Sequence, residues 1–514
     1  MRPALTGSES ERRTSSEGDP EEGLMKKPSD SSTCETAGKN RIPPTLLWAT
    51  VAALAIRLVV VGFVYQSFLD PGRDHWEFGF EDGKIATSIV TGHGFGNPYY
   101  RVETGPTAEV APVLPYLLAG VMALFGIYTK ASALAMLTLN GLFSALTCIP
   151  IFLLAKRSFG AREARWAVWI WVFFPYAMYF SAASMWDRAL VTLLLTLLLL
   201  AAQRLEASTR LGAWAWFGLL WGVSALTNPV VLGTLPFVGG WVCYQRHRQG
   251  RNWGLPAATA GFVLLITLAP WLIRNYRVFR QPVFLKDNLP LEFVVGNVGN
   301  TLHWWNGSLH PCGNDAELEK FHQVGESRYM AGKWHQFFDF LKADPEAFAW
   351  RSLRRVAYMW TGYWSFRQEY LREERFDLPN IVFCTMFTFL AFAGLKKALR
   401  EAPDRTMPYA FVLLVYPMVY YLTHPDLAYR HPLDPQVVIL GSYAVVSWLR
   451  ARETATACTQ DGQAQGALDR YRPRPRPTLL PEPIGFQDSR AAYGQRDVDD
   501  RAYPDNLEAP AVTT

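Results

Sequence analysis

Residues 112–127 read PVLPYLLAGVMALFGI, and whether this run crosses a membrane sets the topology of everything after it. It is apolar, but shorter than the ~20 residues that span hydrocarbon. Proline opens it and glycine sits near its end. Ten other apolar stretches accompany it, at 45–67, 131–155, 163–183, 188–204, 211–227, 229–245, 254–273, 381–396, 408–423 and 432–449. If 112–127 lies in the interface, the basic clusters fall on one side, as the positive-inside rule expects. Those clusters are Lys156, Arg157, Arg162 and Arg165; Arg204 and Arg210; Arg246, Arg248 and Arg251; Lys396, Lys397, Arg400 and Arg405; and Arg450 and Arg452. Counting the run as a span sends most of them outside. The expected fold is therefore an all-α polytopic membrane protein of about ten transmembrane helices, with interfacial helices and both tails cytoplasmic.

The composition agrees once the chain is divided. Its 514 residues are 50% hydrophobic and 18% charged, and the mean hydropathy of +0.03 averages an apolar middle with two polar tails. Residues 1–44 and 451–514 read as disordered cytoplasmic tails. Between them the reading is a transmembrane module at 45–273 carrying a first outer loop at 68–130, a second outer loop at 274–380 with an amphipathic stretch from Trp350 to Phe366, and closing spans at 381–450. A formal charge of +5 is too small to argue for nucleic acid. The six cysteines show no paired metal spacing and no disulfide framework.

The outer side collects the chemistry. Asp74, His75, Glu77, Glu81, Asp82, His93 and Glu109 crowd the first loop, where carboxylates beside a bilayer are costly unless they bind or react. From Glu81 the pattern reads as a short helix with Ala86, Ile85 and Ile89 on its apolar face, and Glu77 would share a face with Glu81. Such a carboxylate deprotonates a hydroxyl or holds a cation; equally, it is a solvated acidic first turn. Thr107 and Glu109 stand just before the interfacial run. Asp187 and Arg188 sit at a span boundary, either as a salt-bridged end or as the far wall of a site. Arg274, Arg277 and Arg280 follow a span on the outer side, at a depth that suits a lipid phosphate. Arg430, His431 and Asp434 open the last span, as a phosphate-holding ring or as plain anchoring.

Taken in order, these segments resemble the GT-C superfamily of integral-membrane glycosyltransferases, in its bacterial protein-mannosyltransferase and aminoarabinose-transferase type (glycosyltransferase family 39). The matching pieces are Glu81-Asp-Gly-Lys-Ile-Ala86, Gly92-His-Gly-Phe95, Gly105-Pro-Thr-Ala108, Ala111-Pro-Val-Leu-Pro-Tyr116, Leu124-Phe-Gly126, Lys156-Arg-Ser-Phe-Gly160, Phe174-Pro-Tyr-Ala-Met-Tyr-Phe180, Pro270-Trp-Leu-Ile-Arg-Asn275 and Tyr429-Arg-His-Pro432, across roughly residues 45–450. The resemblance implies transfer of a sugar from a polyprenyl-phosphate donor to a protein, lipid or glycan acceptor outside the cytoplasm, in a bacterial inner (plasma) membrane. It implies catalytic work at Glu81, with Asp82 and Asp187, and acceptor or loop positioning by His75, Glu77 and Thr107. Two departures stand out: the loop pair is Glu81–Asp82 rather than Asp-Glu, and Ala111 precedes a single Pro112 where many relatives carry Lys before Pro-Pro. Donor-phosphate binding is then expected at Arg274, Arg277, Arg430 and His431. No cofactor is required by the resemblance, which permits a divalent cation without demanding one. The alternative is a transporter or flippase of lipid-linked glycans, which would call for acidic residues buried mid-span; these spans hold few.

Overall fold

A computed structural model describes residues 43–68, 78–99, 102–182, 185–299, 305–373 and 377–471. They are overwhelmingly helical; among them the only β pairing outside helices is an isolated bridge between Gly96 and Pro106. The chain divides into two units, Met1–Ala451 and Arg452–Thr514. In the second, the described residues are the last turns of a helix that ends at Tyr471.

The first helix, α1 (Pro44–Phe68), is followed by the short α2 (Glu81–Val90) and by α3 (Val113–Phe125). At 1.5 Å per residue α3 is about 20 Å long, too short for a hydrocarbon core of about 30 Å. It packs between α2 and the next helix, α4 (Lys130–Leu146), through Leu114, Leu118 and Met122. Next come α5 (Cys148–Ser158), α6 (Ala161–Val172), α7 (Pro175–Ala182) and α8 (Arg188–Leu205). Helices α9 (Leu211–Thr227), α10 (Leu235–Arg248) and α11 (Gly254–Phe279) complete the first module.

The expected span 163–183 is broken in two, and the break has a partner. Pro175 lacks an N–H and ends the ladder, leaving the carbonyls of Trp171 and Val172 to be satisfied elsewhere. Arg57 of α1, fully buried, donates to both, at 3.1 and 3.0 Å, and to Ser144 Oγ at 2.9 Å.

An outer layer follows: α12 (Leu289–Asn297), α13 (Asp315–Val324), α14 (Glu326–Ala343), α15 (Pro345–Thr361) and α16 (Gln368–Glu373). Leu291, Val295, Leu318, Phe321 and Tyr329 form its small core. α15 is amphipathic as expected: Trp350 and Leu353 are exposed while Arg355 is buried and donates to Asn297 Oδ1 at 3.0 Å. The closing helices are α17 (Asp377–Glu401), α18 (Pro403–Val415), α19 (Met418–Leu422), α20 (Leu427–Arg430) and α21 (Asp434–Tyr471).

Among the described residues five helices are long and apolar enough to cross a membrane: Pro44–Phe63, Lys130–Ser158, Arg188–Leu205, Gly254–Phe279 and Leu378–Glu401. Of the other expected spans, 211–227 is the shorter α9, three are interrupted at Phe173–Phe174, at Pro229–Thr234 and at Tyr416–Pro417, and 432–449 lies in the 38-residue α21, which is not among the five. The protein is thus an all-α polytopic membrane protein whose centre is α8, the most enclosed of the five.

The basic clusters do meet at one end of this bundle. Arg157 donates to Gln203 O, Arg246 to Ser208 O, Arg251 to Glu206 O and Arg405 to Arg157 O, while Arg248 pairs with Asp404. Asp187 precedes the opposite end of the 18-residue α8, about 27 Å away along the axis.

Candidate active site

At that opposite end the turn before α2 is built around Gly79. Its φ is +80°, and a Cβ there would stand 2.8 Å from Met185 O. Only glycine lets the turn lie this close to the segment leading into α8. The next residue, Phe80, also takes a positive φ, of 58°, and α2 begins immediately with Glu81 and Asp82. The result is convergence. Glu81, Asp82 and Asp187 line one cavity of about 210 Å³, walled further by Lys286, Asn228, Asn288, Glu292, His424 and Tyr429.

The contacts are specific. Asn228 Nδ2 donates to Asp187 Oδ2 at 2.9 Å, and Asn288 Nδ2 to Glu292 Oε1 at 2.8 Å. His424 Nδ1 lies 3.3 Å from Glu292 Oε2, with its other ring nitrogen 3.2 Å from Tyr429 OH. A second hollow, of about 290 Å³, shares Glu81, Trp186, Glu292, His424 and Tyr429 with the first and adds Trp305, His310, Cys312 and Asp426. Glu81 therefore stands in the wall of both.

Burial sets the protonation. It pushes Glu81 up to about 8, with Glu292 adding to the rise and Lys286 opposing it. Asp82 is raised well above the usual carboxylate range by burial and then by Asp187 and Glu81. Asp187 is raised by burial against the Asn228 hydrogen bond. Burial thus raises all three carboxyls around one lysine, and a cation or a hydrogen-bond donor brings them down again.

Other expected residues lie elsewhere. His75 and Glu77 fall outside the described residues. Thr107 is buried; its Oγ1 accepts from Glu109 N at 3.1 Å, and its carbonyl accepts from Arg274 at 2.6 Å. Arg274 also donates to Phe95 O at 2.7 Å and lies over the Trp271 ring, so it serves as a strut for the 95–107 loop. Arg277 is exposed. Arg430 spends its guanidinium on Asp434 Oδ1, at 3.1 and 3.2 Å, and His431 Nδ1 meets Asp434 Oδ2 at 2.9 Å against the Trp171 ring. None of these four residues lines either hollow: Arg274, Arg430 and His431 are engaged in holding the chain together, and Arg277 points out to the surface. The cation that does line the carboxylate cavity is Lys286, which local sequence did not single out. Its only signal was a lone lysine in a polar Lys-Asp-Asn run beyond the arginine triplet.

Among the described residues a divalent cation has one group of ligands to consider: Glu81, His310 and Cys312, whose ligand atoms lie within 4.8 Å of one another. Three protein ligands with an open position would suit a catalytic zinc. The protonation pattern does not. Cys312 N–H donates to His310 Nδ1 at 3.1 Å, which leaves the ring proton on Nε2, 4.0 Å from Glu109 Oε1. Burial holds the His310 ring neutral, as a ligand would need, with a value lowered to about 3, but it pushes the Cys312 thiol up, away from the thiolate that ligation needs. A bound ion would have to displace one of these arrangements, so no step below is routed through it.

Comparison with known proteins adds a family match. The family model for dolichyl-phosphate-mannose-protein mannosyltransferase matches residues 109–273, about a third of the chain, which include Asp187 and Asn228 but not Glu81 or Lys286. No curated protein matches. Among solved structures, the archaeal oligosaccharyltransferase AglB from Archaeoglobus fulgidus, in complex with an inhibitory peptide and a dolichol-phosphate, is similar at 13% identity and a TM-score of 0.43, over 80% of this chain and 52% of that one. ArnT from Cupriavidus metallidurans, bound to undecaprenyl phosphate, is similar at 14% identity and a TM-score of 0.43, over 80% and 63%. The chain thus spans about half to two thirds of their length. The family match and the resemblance read from the sequence point to the same superfamily.

Proposed function

We propose that this chain is a glycosyltransferase of a bacterial inner membrane, moving a sugar from a polyprenyl-phosphate donor to an acceptor hydroxyl on the outer side. The observation that carries the reading is the convergence of Glu81, Asp82, Asp187 and Lys286 on one cavity, at the end of the bundle away from the basic clusters. The positive-inside rule makes the basic end cytoplasmic, and both tails with it.

In the proposed step Glu81 takes the proton of the acceptor hydroxyl. The acceptor oxygen bonds to the anomeric carbon as the carbon–oxygen bond to phosphate breaks, in a single inverting displacement. The polyprenyl phosphate leaves with the bond's electron pair, and its added negative charge develops against Lys286. Asp187, fixed by Asn228, orients the acceptor. A base near 8 is well matched to neutral operating pH, and the enclosed walls limit access of water. In this reading one of the two hollows that share Glu81 takes the donor and the other the acceptor.

Mass spectrometry of envelope glycans and glycoproteins from a deletion strain tests the activity. A sugar should vanish and return with the wild-type chain but not with Glu81→Gln. Return with both forms would support a flippase that performs no chemistry.

A further inference from the structure

Another hollow lies elsewhere. A groove of about 720 Å³ runs along α6 to the face of α17 and is lined by Arg162, Arg165, Trp166, Trp169, Phe173 and Phe387, among others. Its aromatic wall is open rather than packed: Trp166, Trp169 and Phe173 are 44%, 38% and 60% exposed. Trp169 and Phe173 stack at 6.3 Å, continuing one apolar strip along the helix. Both arginines lie in the first turns of α6, beside the basic residues that end α5.

From Arg162 to Val172, where α6 ends, the strip covers about 15 Å of helix, one leaflet's share of a hydrocarbon core of about 30 Å. A cationic mouth at the interface above a leaflet-deep aromatic furrow matches one chemistry: a phosphate headgroup with acyl chains below it. We infer that this groove holds an anionic glycerophospholipid of the leaflet at the basic end, with its phosphate on Arg162 and Arg165. Zwitterionic lipids offer the same chains but no net charge to these arginines. A donor lipid is a poor occupant. Its phosphate would sit at the mouth of α6, at the basic end, while Glu81 and Lys286 lie at the other end of the bundle, the length of the 18-residue α8 or about 27 Å away. The inference stands whether or not the transferase reading holds.

Native mass spectrometry of the full-length chain in neutral detergent tests it, with phosphatidylglycerol or phosphatidylcholine of matched chains as probes. Wild type should retain phosphatidylglycerol roughly tenfold better, the worth of one to two interfacial cations. An Arg162→Ala/Arg165→Ala variant should lose that preference and still take up phosphatidylcholine. Equal retention of the two lipids by wild type, or an undiminished preference in the variant, overturns the proposal. Should the variant not fold, a phosphatidylglycerol carrying a diazirine in its acyl chain supplies the second test on wild type. Crosslinks should map to 162–175 and 383–387; crosslinks elsewhere, or displacement of the lipid by polyprenyl phosphate one for one, contradict it.

Discussion

At the scale of single residues, the pH behaviour of Glu81 follows from what surrounds it. Burial and Glu292 raise it to about 8, and Lys286 pulls it back. A base must be ionised to act, so transfer should climb with pH and level off above about 8. Lys286→Met removes the opposing charge, so the midpoint should move to higher pH, with weaker donor binding as a rise in KM. A pH series of initial rates for the two forms measures both; an unchanged midpoint would separate Lys286 from Glu81. Asn228→Ala leaves Asp187 without its amide donor. Transfer should fall about tenfold at pH 7 and recover partly at higher pH, since Asp187 then ionises later. Part of this site was legible in sequence: Glu81, Asp82 and Asp187 are carboxylates at places where solubility does not need them. The cations were not. Arg430 and Asp434 are four apart on one helical turn, a spacing that signals mutual pairing rather than a free phosphate site. Lys286 reaches the cavity by a loop, and no local period records where a loop returns.

At the scale of elements, two contacts hold the carboxylates in place. The Gly79 turn brings α2 against the segment before α8. Gly79→Ala meets Met185 O and a positive φ, which should cost about 1–3 kcal/mol. Because the same turn places Glu81, activity should drop further than stability does; equal losses in a thermal-shift and transfer comparison would argue against that coupling. Arg57 closes the break between α6 and α7. Arg57→Met leaves the carbonyl of Val172 without a partner and that of Trp171 with only the long bond from Phe174 N, a loss of about 1–3 kcal/mol, read as a lower Tm in detergent. The apolar stretches gave the helices their positions because hydropathy is local. The breaks at Phe173–Phe174 and Tyr416–Pro417 were less visible. A proline shows where a ladder can stop, but whether a distant arginine satisfies the freed carbonyls depends on packing.

At the scale of the whole molecule, charge is segregated along the bundle axis. Basic residues and their carbonyl partners occupy one end, and the carboxylate cavity occupies the other. Raised carboxyls also give the fold a pH dependence of known sign. Glu81 rises from an ordinary 4.5 to about 8 and Asp287 from 3.8 to about 6, both chiefly by burial. Ionising a group whose folded value lies above its unfolded value costs stability. Stability should therefore be fully present below about pH 4 for these groups and decline as pH rises through 6 and 8. A thermal-melt series from pH 5 to pH 9 without substrate should show a falling Tm, and saturating donor should blunt the fall if Lys286 and the bound phosphate settle the site.

The most direct measurement is single-turnover transfer by purified protein, from a labelled polyprenyl-phosphate sugar to an acceptor, in wild type and Glu81→Gln across pH 6–9. Wild type should transfer with a rate that rises towards pH 8, while Glu81→Gln, equally folded and still binding donor, should be slower by at least about a hundredfold at every pH. Transfer by Glu81→Gln at the wild-type rate, with the same pH profile, would contradict the assignment of this cavity as the place where the glycosidic bond is made.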